Sequence, residues 1–257
     1  ISFFSGFKGA GFFKTKLKEV KTEFKKLRQE LKSLKYKISY LDKSWSNFNR
    51  KFNTFKEKAA GFSNIISVTK TTIVNNKNLD FSQLDYGIGI ANNLDKIFRD
   101  RIFKGNISQT VNLSAAKGEY EGFQLVLIPL FGKNLKDISI EVSDLINKKD
   151  NSKISKNNIK LHKVGYVYIK KPTPGASYVG WYPDPLLPLR GFDSKTLDVK
   201  GNEVQPIWVT ISVPDDTPAG RYEGDVLIKL VNSCPTNVKI ELRVYDFSVK
   251  EKHLLVQ

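Results

Sequence analysis

The sequence predicts a mainly β protein: an antiparallel β-sandwich preceded by a long N-terminal coiled-coil α-helix. Three observations carry that prediction. From Phe13 to Phe55 the large apolar residues recur at alternating spacings of four and three. After residues 61–80 the apolar period changes to two. The later segments are also separated by Gly, Pro and Asn turns, with few helical signals between them.

The first element is the helix. Phe13, Leu17, Val20, Phe24, Leu27, Leu31, Leu34, Ile38, Leu41, Trp45, Phe48, Phe52 and Phe55 form one heptad seam, which specifies a narrow apolar stripe on a single helix. No Pro or Gly interrupts the run, and Gly61 is placed to end it. At 1.5 Å per residue such a helix would extend about 65 Å, further than a compact domain needs. Its stripe therefore needs cover, and the expected cover is a second copy of the chain, joined through residues 13–58. Residues 1–60 are read as the basic coiled-coil helix and residues 61–80 as a linker or first edge strand. Residues 81–257 are read as the sandwich.

Within the sandwich, Phe123, Leu125 and Leu127 alternate with Gln124, Val126 and Ile128, so both faces are apolar and a central strand is expected. Leu135–Val142, Ile159–Ile169 and Val204–Val213 read as further strands. Val226, Ile228 and Leu230 form one alternating run, and Val238, Ile240, Leu242 and Val244 another, with the turn Asn232-Ser233-Cys234-Pro235 between them. Asn92–Phe98 reads as a short helical turn.

Charge belongs mainly to the helix. Sixteen of the 42 basic residues and five of the 26 acidic ones fall in residues 1–60, a net of +11 there against +5 over the rest. The lysines are read as the solvated outside of a coiled coil. Nucleic acid is disfavoured as a partner, because groove or strand binding wants a gathered basic stripe with exposed aromatics. An anionic membrane surface stays open as a partner. Cys234 is the sole cysteine, which excludes an intrachain disulfide and a cysteine zinc cluster. No run reaches the roughly 18 apolar residues of a membrane span. The chain starts at Ile1 and contains no Met, so it is read as a piece of a longer product. The apolar start up to Phe13 is compatible with the tail of a signal or anchor segment.

Five segments carry a family resemblance. They are Ala115-Ala116-Lys117-Gly118-Glu119-Tyr120-Glu121-Gly122-Phe123-Gln124-Leu125-Val126-Leu127, the proline-locked loop Gly180–Pro188, Gln205-Pro206-Ile207-Trp208-Val209, the turn Pro214–Gly224, and Arg243-Val244-Tyr245-Asp246-Phe247. In this order they resemble the N-terminal β-sandwich of glycoside hydrolase family 123. The turn alone is weakly specific; the ordered set is much more so. The resemblance covers about residues 81–257 and omits the helix.

The resemblance implies that a catalytic (β/α)8 barrel follows the sandwich, expected after Gln257. It implies a parent hydrolase that releases terminal β-linked N-acetylgalactosamine or a related amino sugar. In that family the sugar's 2-acetamido oxygen attacks the anomeric carbon, an aspartate orients it, and the adjacent glutamate protonates the leaving oxygen. No Asp-Glu dipeptide occurs in this chain, so no catalytic residue is expected within it. The implied setting is bacterial, exported or at the cell surface. The implied partners are the barrel and a glycan, and no cofactor is implied. The alternative is a non-catalytic carbohydrate-binding or structural module on a coiled-coil stem.

The candidate site residues are Trp181, Tyr182, Asp184 and Trp208. Aromatic faces stack on sugar C–H faces, and a carboxylate accepts sugar hydroxyl protons. Trp208 is expected beneath or beside the Trp181–Tyr182 loop. The structural alternative, favoured for a Trp-Tyr pair flanked by prolines, is core or an interface to the barrel. Glu119 and Glu121 would share a strand face about 6.5–7 Å apart, near the spacing of an inverting acid pair, but are read as surface acids at a strand entry. Asp215 and Asp216 are read as turn residues. His162 and His253 lie too far apart for a metal site or triad. Gly87-Ile88-Gly89 lacks the third glycine of a dinucleotide loop. The sequons at Asn106 and Asn112 carry no weight in a bacterial chain.

Overall fold

Heptad residues meet their own chain in the computed structural model, which describes residues 10–34, 41–75, 85–171, 178–189, 196–201, 203–231, 233 and 235–249. Ile38, Cys234, His253 and the approach to Gln257 lie outside the described residues. Helix α1 (Ala10–Leu34) and helix α2 (Leu41–Asn75) run antiparallel. Their direction follows from the cross-contacts: Lys51 bonds Glu30, Lys58 bonds Glu23, and Phe24 lies 5.8 Å from Phe55. Leu27, Phe48 and Phe55 are buried between them. The single helix expected over 13–55 is thus two helices, and one row of its seam closes on itself.

The expected linker is also helix over residues 61–75. α2 continues through Gly61 to Asn75 because Ile65, Val68, Thr69 and Thr72 recur at helical spacing and bury against a sheet; Val68 and Thr69 are fully buried. Tertiary burial here overrides β-branched propensity.

Thirteen strands follow among the described residues. They are β1 (Tyr86–Ala91), β2 (Asn106–Ile107), β3 (Thr110–Lys117), β4 (Tyr120–Pro129), β5 (Leu135–Val142), β6 (Leu145–Asn147), β7 (Lys153–Ile154), β8 (Ile159–Ile169), β9 (Gly180–Pro188), β10 (Leu197–Val199), β11 (Gln205–Ser212), β12 (Gly220–Lys229) and β13 (Thr236–Ser248). The front sheet has the order β2-β1-β4-β11-β8-β9. The back sheet runs β10-β5-β12-β13-β3, with β6 on β12 and β7 on β6. Every pairing is antiparallel except β13 with β3, which is parallel.

Between the sheets lies one apolar core, with Phe123, Leu125, Leu127, Ile207, Val209 and Ile211 from the front facing Tyr222, Val226, Ile228, Val238, Ile240 and Leu242 from the back. A second cluster covers the outer face of the front sheet: Val126 and Ile128 of β4 pack with Val68 of α2, Phe103 and Val204. That second cover is why β4 reads as apolar on both faces. Gly87 and Gly89 permit it. A Cβ on Gly87 would meet Val68 at 2.3 Å, and one on Gly89 would meet the buried Phe103 ring at 2.2 Å.

Asn92–Phe98 is a turn and not a helix. The Asn92 side chain accepts the N–H groups of Leu94 and Asp95, the local competition that favours turns at asparagine. Between β3 and β4 the chain crosses from one sheet to the other through Gly118, whose φ of +77° suits glycine.

Candidate functional site

The Gly180–Pro188 segment is an edge strand and not a loop: β9 pairs with β8 on one side only. Edges tolerate proline because no ladder bond is lost, and Pro183, Pro185 and Pro188 deter further strand pairing. Successive side chains leave a strand on opposite faces, so Trp181 and Tyr182 enter different surroundings.

Trp181 lies edge-on to Tyr168, ring centroids 5.2 Å apart, with the Arg99 guanidinium 4.5 Å from its ring centre. Arg99 also lies 5.7 Å from the Tyr166 ring and bonds Glu203 at 2.6 Å. Tyr182 lies 5.7 Å from Phe98, and Lys96 approaches its ring at 5.4 Å. Phe98 in turn packs 4.7 Å from Tyr178, with Arg101 over both rings at 4.2 and 4.7 Å.

The segment carrying Phe98, Arg99 and Arg101 is tied down at several points. Gln124 Nε2 donates to the carbonyls of Asn92 and Asp95, both at 2.8 Å. Val204 N–H donates to the Arg99 carbonyl at 2.8 Å, and the Tyr166 hydroxyl to that of Ile97 at 2.9 Å. Burial pushes the Tyr166 hydroxyl well above its ordinary pKa, so it stays a neutral donor.

Asp184 is exposed on the same edge strand. Trp208 is elsewhere. It pairs with Gln124 on β4 and His162 on β8, and His162 faces Pro188. Trp181 faces Tyr168, six residues further along β8 and so about 20 Å away. Trp208 therefore does not lie beneath the Trp181–Tyr182 pair. The sequence reading also missed Phe98, Arg99, Tyr166, Tyr168 and Tyr178. The signals were there: tyrosines two apart in β8, and arginines on either side of Asp100 just after Phe98.

A groove of about 1030 Å³ lies beside this cluster, lined by Lys56, Lys96, Phe98, Arg101, Lys104 and Tyr178. A second, of about 540 Å³, opens where β8 approaches β5 and β10, lined by Lys136, Lys163, Asp198, Lys200, Glu203 and Gln205. Its acids are engaged: Asp198 accepts the Asp137 N–H at 3.0 Å and Glu203 holds Arg99. Glu119 lies in the crossover and accepts the Ala116 N–H at 2.7 Å, while Glu121 accepts the Gly122 N–H at 3.1 Å. These acids fix backbone and cations. No cluster of three metal-ligating side chains occurs among the described residues.

A model of the glycoside hydrolase 123 N-terminal domain matches residues 98–230, just over half of the chain. The chain belongs to the glycoside hydrolase 123 N-terminal domain family.

The family match begins at Phe98, in the aromatic cluster, and ends after β12. A solved family 123 glycoside hydrolase from Clostridium perfringens, described for glycolipid glycan hydrolysis, superposes with a TM-score of 0.55 at 20% identity, covering 64% of this chain and 28% of that one. The likeness is one of fold, and this family 123 sandwich spans 28% of that protein's length. AvmM, a macrocyclization catalyst of alchivemycin A biosynthesis, gives a TM-score of 0.33 at 8% identity over 66% of this chain and 92% of its own. A PapD-like domain of human CEP192 gives 0.31 at 11%, over 65% and 89%. Scores this low say nothing about function. No curated protein matches the sequence.

Proposed function

We propose that this chain is the accessory β-sandwich of a glycosidase that removes terminal β-linked N-acetylgalactosamine, or a related amino sugar, by substrate-assisted catalysis. In that mechanism the acetamido oxygen of the substrate is the nucleophile, so protein carboxylates only orient it and protonate the leaving group. Those carboxylates belong to a barrel outside this chain, and the sandwich supports the barrel. The family match over residues 98–230 carries this reading.

Two surfaces suit the support role. One is the edge with Trp181, Tyr182 and Asp184. The other is the exposed end of β13, where Tyr245 and Phe247 stack at 6.0 Å with Arg243 over Tyr245. Rigid apolar and aromatic surface of this kind is common in interfaces between domains.

A second reading, a carbohydrate-binding module, draws on one observation: Trp181 keeps 37% of its surface exposed on the same strand as Asp184. Assays on aryl β-N-acetylgalactosaminide decide between the readings. The parent gene product is expected to hydrolyse it and this chain alone to leave it intact. Hydrolysis by this chain alone, or none by the parent on any amino-sugar glycoside, overturns the first reading. Glycan binding by this chain that is lost in Trp181→Ala supports the second.

A further inference from the structure

The helical hairpin closes only half of its seam. The row Phe13, Val20, Leu27, Leu34, Phe48 and Phe55 is buried or half-buried, and its members at 27, 48 and 55 form the hairpin core. The companion row stays open: Phe24 is 52% exposed, Leu31 44%, Trp45 46% and Phe52 37%. At 100° per residue the second row sits about 50° round each helix from the first. The helices are antiparallel and carry the same pattern, so this rotation brings both open rows to one side. Phe24, Leu31, Trp45 and Phe52 thus form one apolar stripe across the hairpin.

The charges around the stripe are sorted. Continuing round α1 in the same sense, the next column is Lys14, Lys21 and Arg28, and the one after it is Lys18, Lys25 and Lys32. Both columns hold only cations, with no acidic partner among the described residues. The acids sit on the opposite flank, where Glu23 bonds Lys58 and Glu30 bonds Lys51; Glu19 bonds Lys16. No carboxylate of α1 is left to offset the cations beside the stripe.

We propose that this side of the hairpin lies on an anionic lipid surface, with Phe24, Leu31, Trp45 and Phe52 in the headgroup region and the two cationic columns on lipid phosphates. Exposed aromatics flanked by lysines are the composition of an interfacial helix, and each lysine near an anionic leaflet contributes about 1 kcal/mol. A second copy fits the stripe less well. Stripe-to-stripe packing would bring Lys14, Lys21 and Arg28 against an equally basic partner, with every carboxylate of α1 already engaged elsewhere.

The test is flotation of the whole chain with vesicles of phosphatidylglycerol and phosphatidylcholine in roughly equal parts, against phosphatidylcholine alone. Binding to the first and not the second is expected, weakening with added salt. Lys21→Gln and Arg28→Gln should each lower the partition coefficient by about fivefold. Both positions face solvent, so folding is unaffected. Trp45 emission should shift to the blue on anionic vesicles, a shift absent in Trp45→Phe. Equal binding to both vesicle types, or none to either, overturns the proposal. So does a dimer in sedimentation that Phe52→Ser dissociates, or tighter retention on DNA than on the vesicles.

Discussion

The Arg99 guanidinium lies 4.5 Å from the centre of the Trp181 ring and bonds Glu203 at 2.6 Å. One residue thus joins the edge strand β9 to the approach to β11. Arg99→Ala is expected to destabilise the sandwich by about 1–2 kcal/mol, through loss of the cation–π contact and of the partner of a half-buried carboxylate. Denaturant unfolding measures the loss, and Trp181 emission in the folded protein should shift as its cover goes.

Gly89→Ala puts a methyl group 2.2 Å from the Phe103 ring, which is 4% exposed and has little room to move. Overpacking of this kind costs about 1–3 kcal/mol. The melting temperature should fall in Gly89→Ala and recover in part when Phe103→Leu is added. An unchanged melt in the single variant contradicts the packing of this loop on the front sheet.

Tyr222 is fully buried, yet its hydroxyl donates to the Pro218 carbonyl at 2.8 Å and lies 2.9 Å from Ser152 Oγ. Tyr222→Phe keeps the ring and deletes both contacts. A loss of about 1–2 kcal/mol is expected by chemical denaturation, with the turn before β12 exchanging its amide protons faster.

The Lys156 N–H, bonded at 2.7 Å, holds the Asp144 carboxyl below its ordinary pKa, with Lys153 adding to the effect. A carboxyl depressed in the folded state stabilises above its unfolded pKa and loses that contribution as pH falls through the folded value. Asp144 should therefore titrate below the ordinary carboxylate range by NMR. Asp144→Asn should narrow the drop in stability on the acid limb and cost stability at neutral pH.

Much of the sandwich was legible because burial writes a period of two into the sequence. β4, β5, β8, β11, β12 and β13 all lie where alternation placed them. β9 was not, since three prolines signal a loop and only the sheet context reveals an edge. The heptad seam gave the helical character of residues 13–34 and 41–55, but a spacing rule cannot tell an intermolecular partner from the same chain folded back. The end of α2 was hidden by Val68, Thr69 and Thr72, whose β-branched shapes suggest a strand until the sheet beneath them is seen. At the candidate site, Trp181 and Tyr182 were visible as unusual residues. Arg99, Phe98 and Tyr178 were not, because their proximity depends on a turn fixed from a distance by Gln124.

The pairing of β3 with β13 has a bearing on how this protein is made. Thr110 takes its place beside Lys239, so a strand early in the sandwich must wait for one synthesised more than a hundred residues later. Such distant partnerships slow folding. Until then, one border of the back sheet stays bare in the nascent chain, open to chaperones and to unwanted neighbours. A polypeptide stopped before β13 would hold nearly all of its core residues and still lack the strand that seats β3.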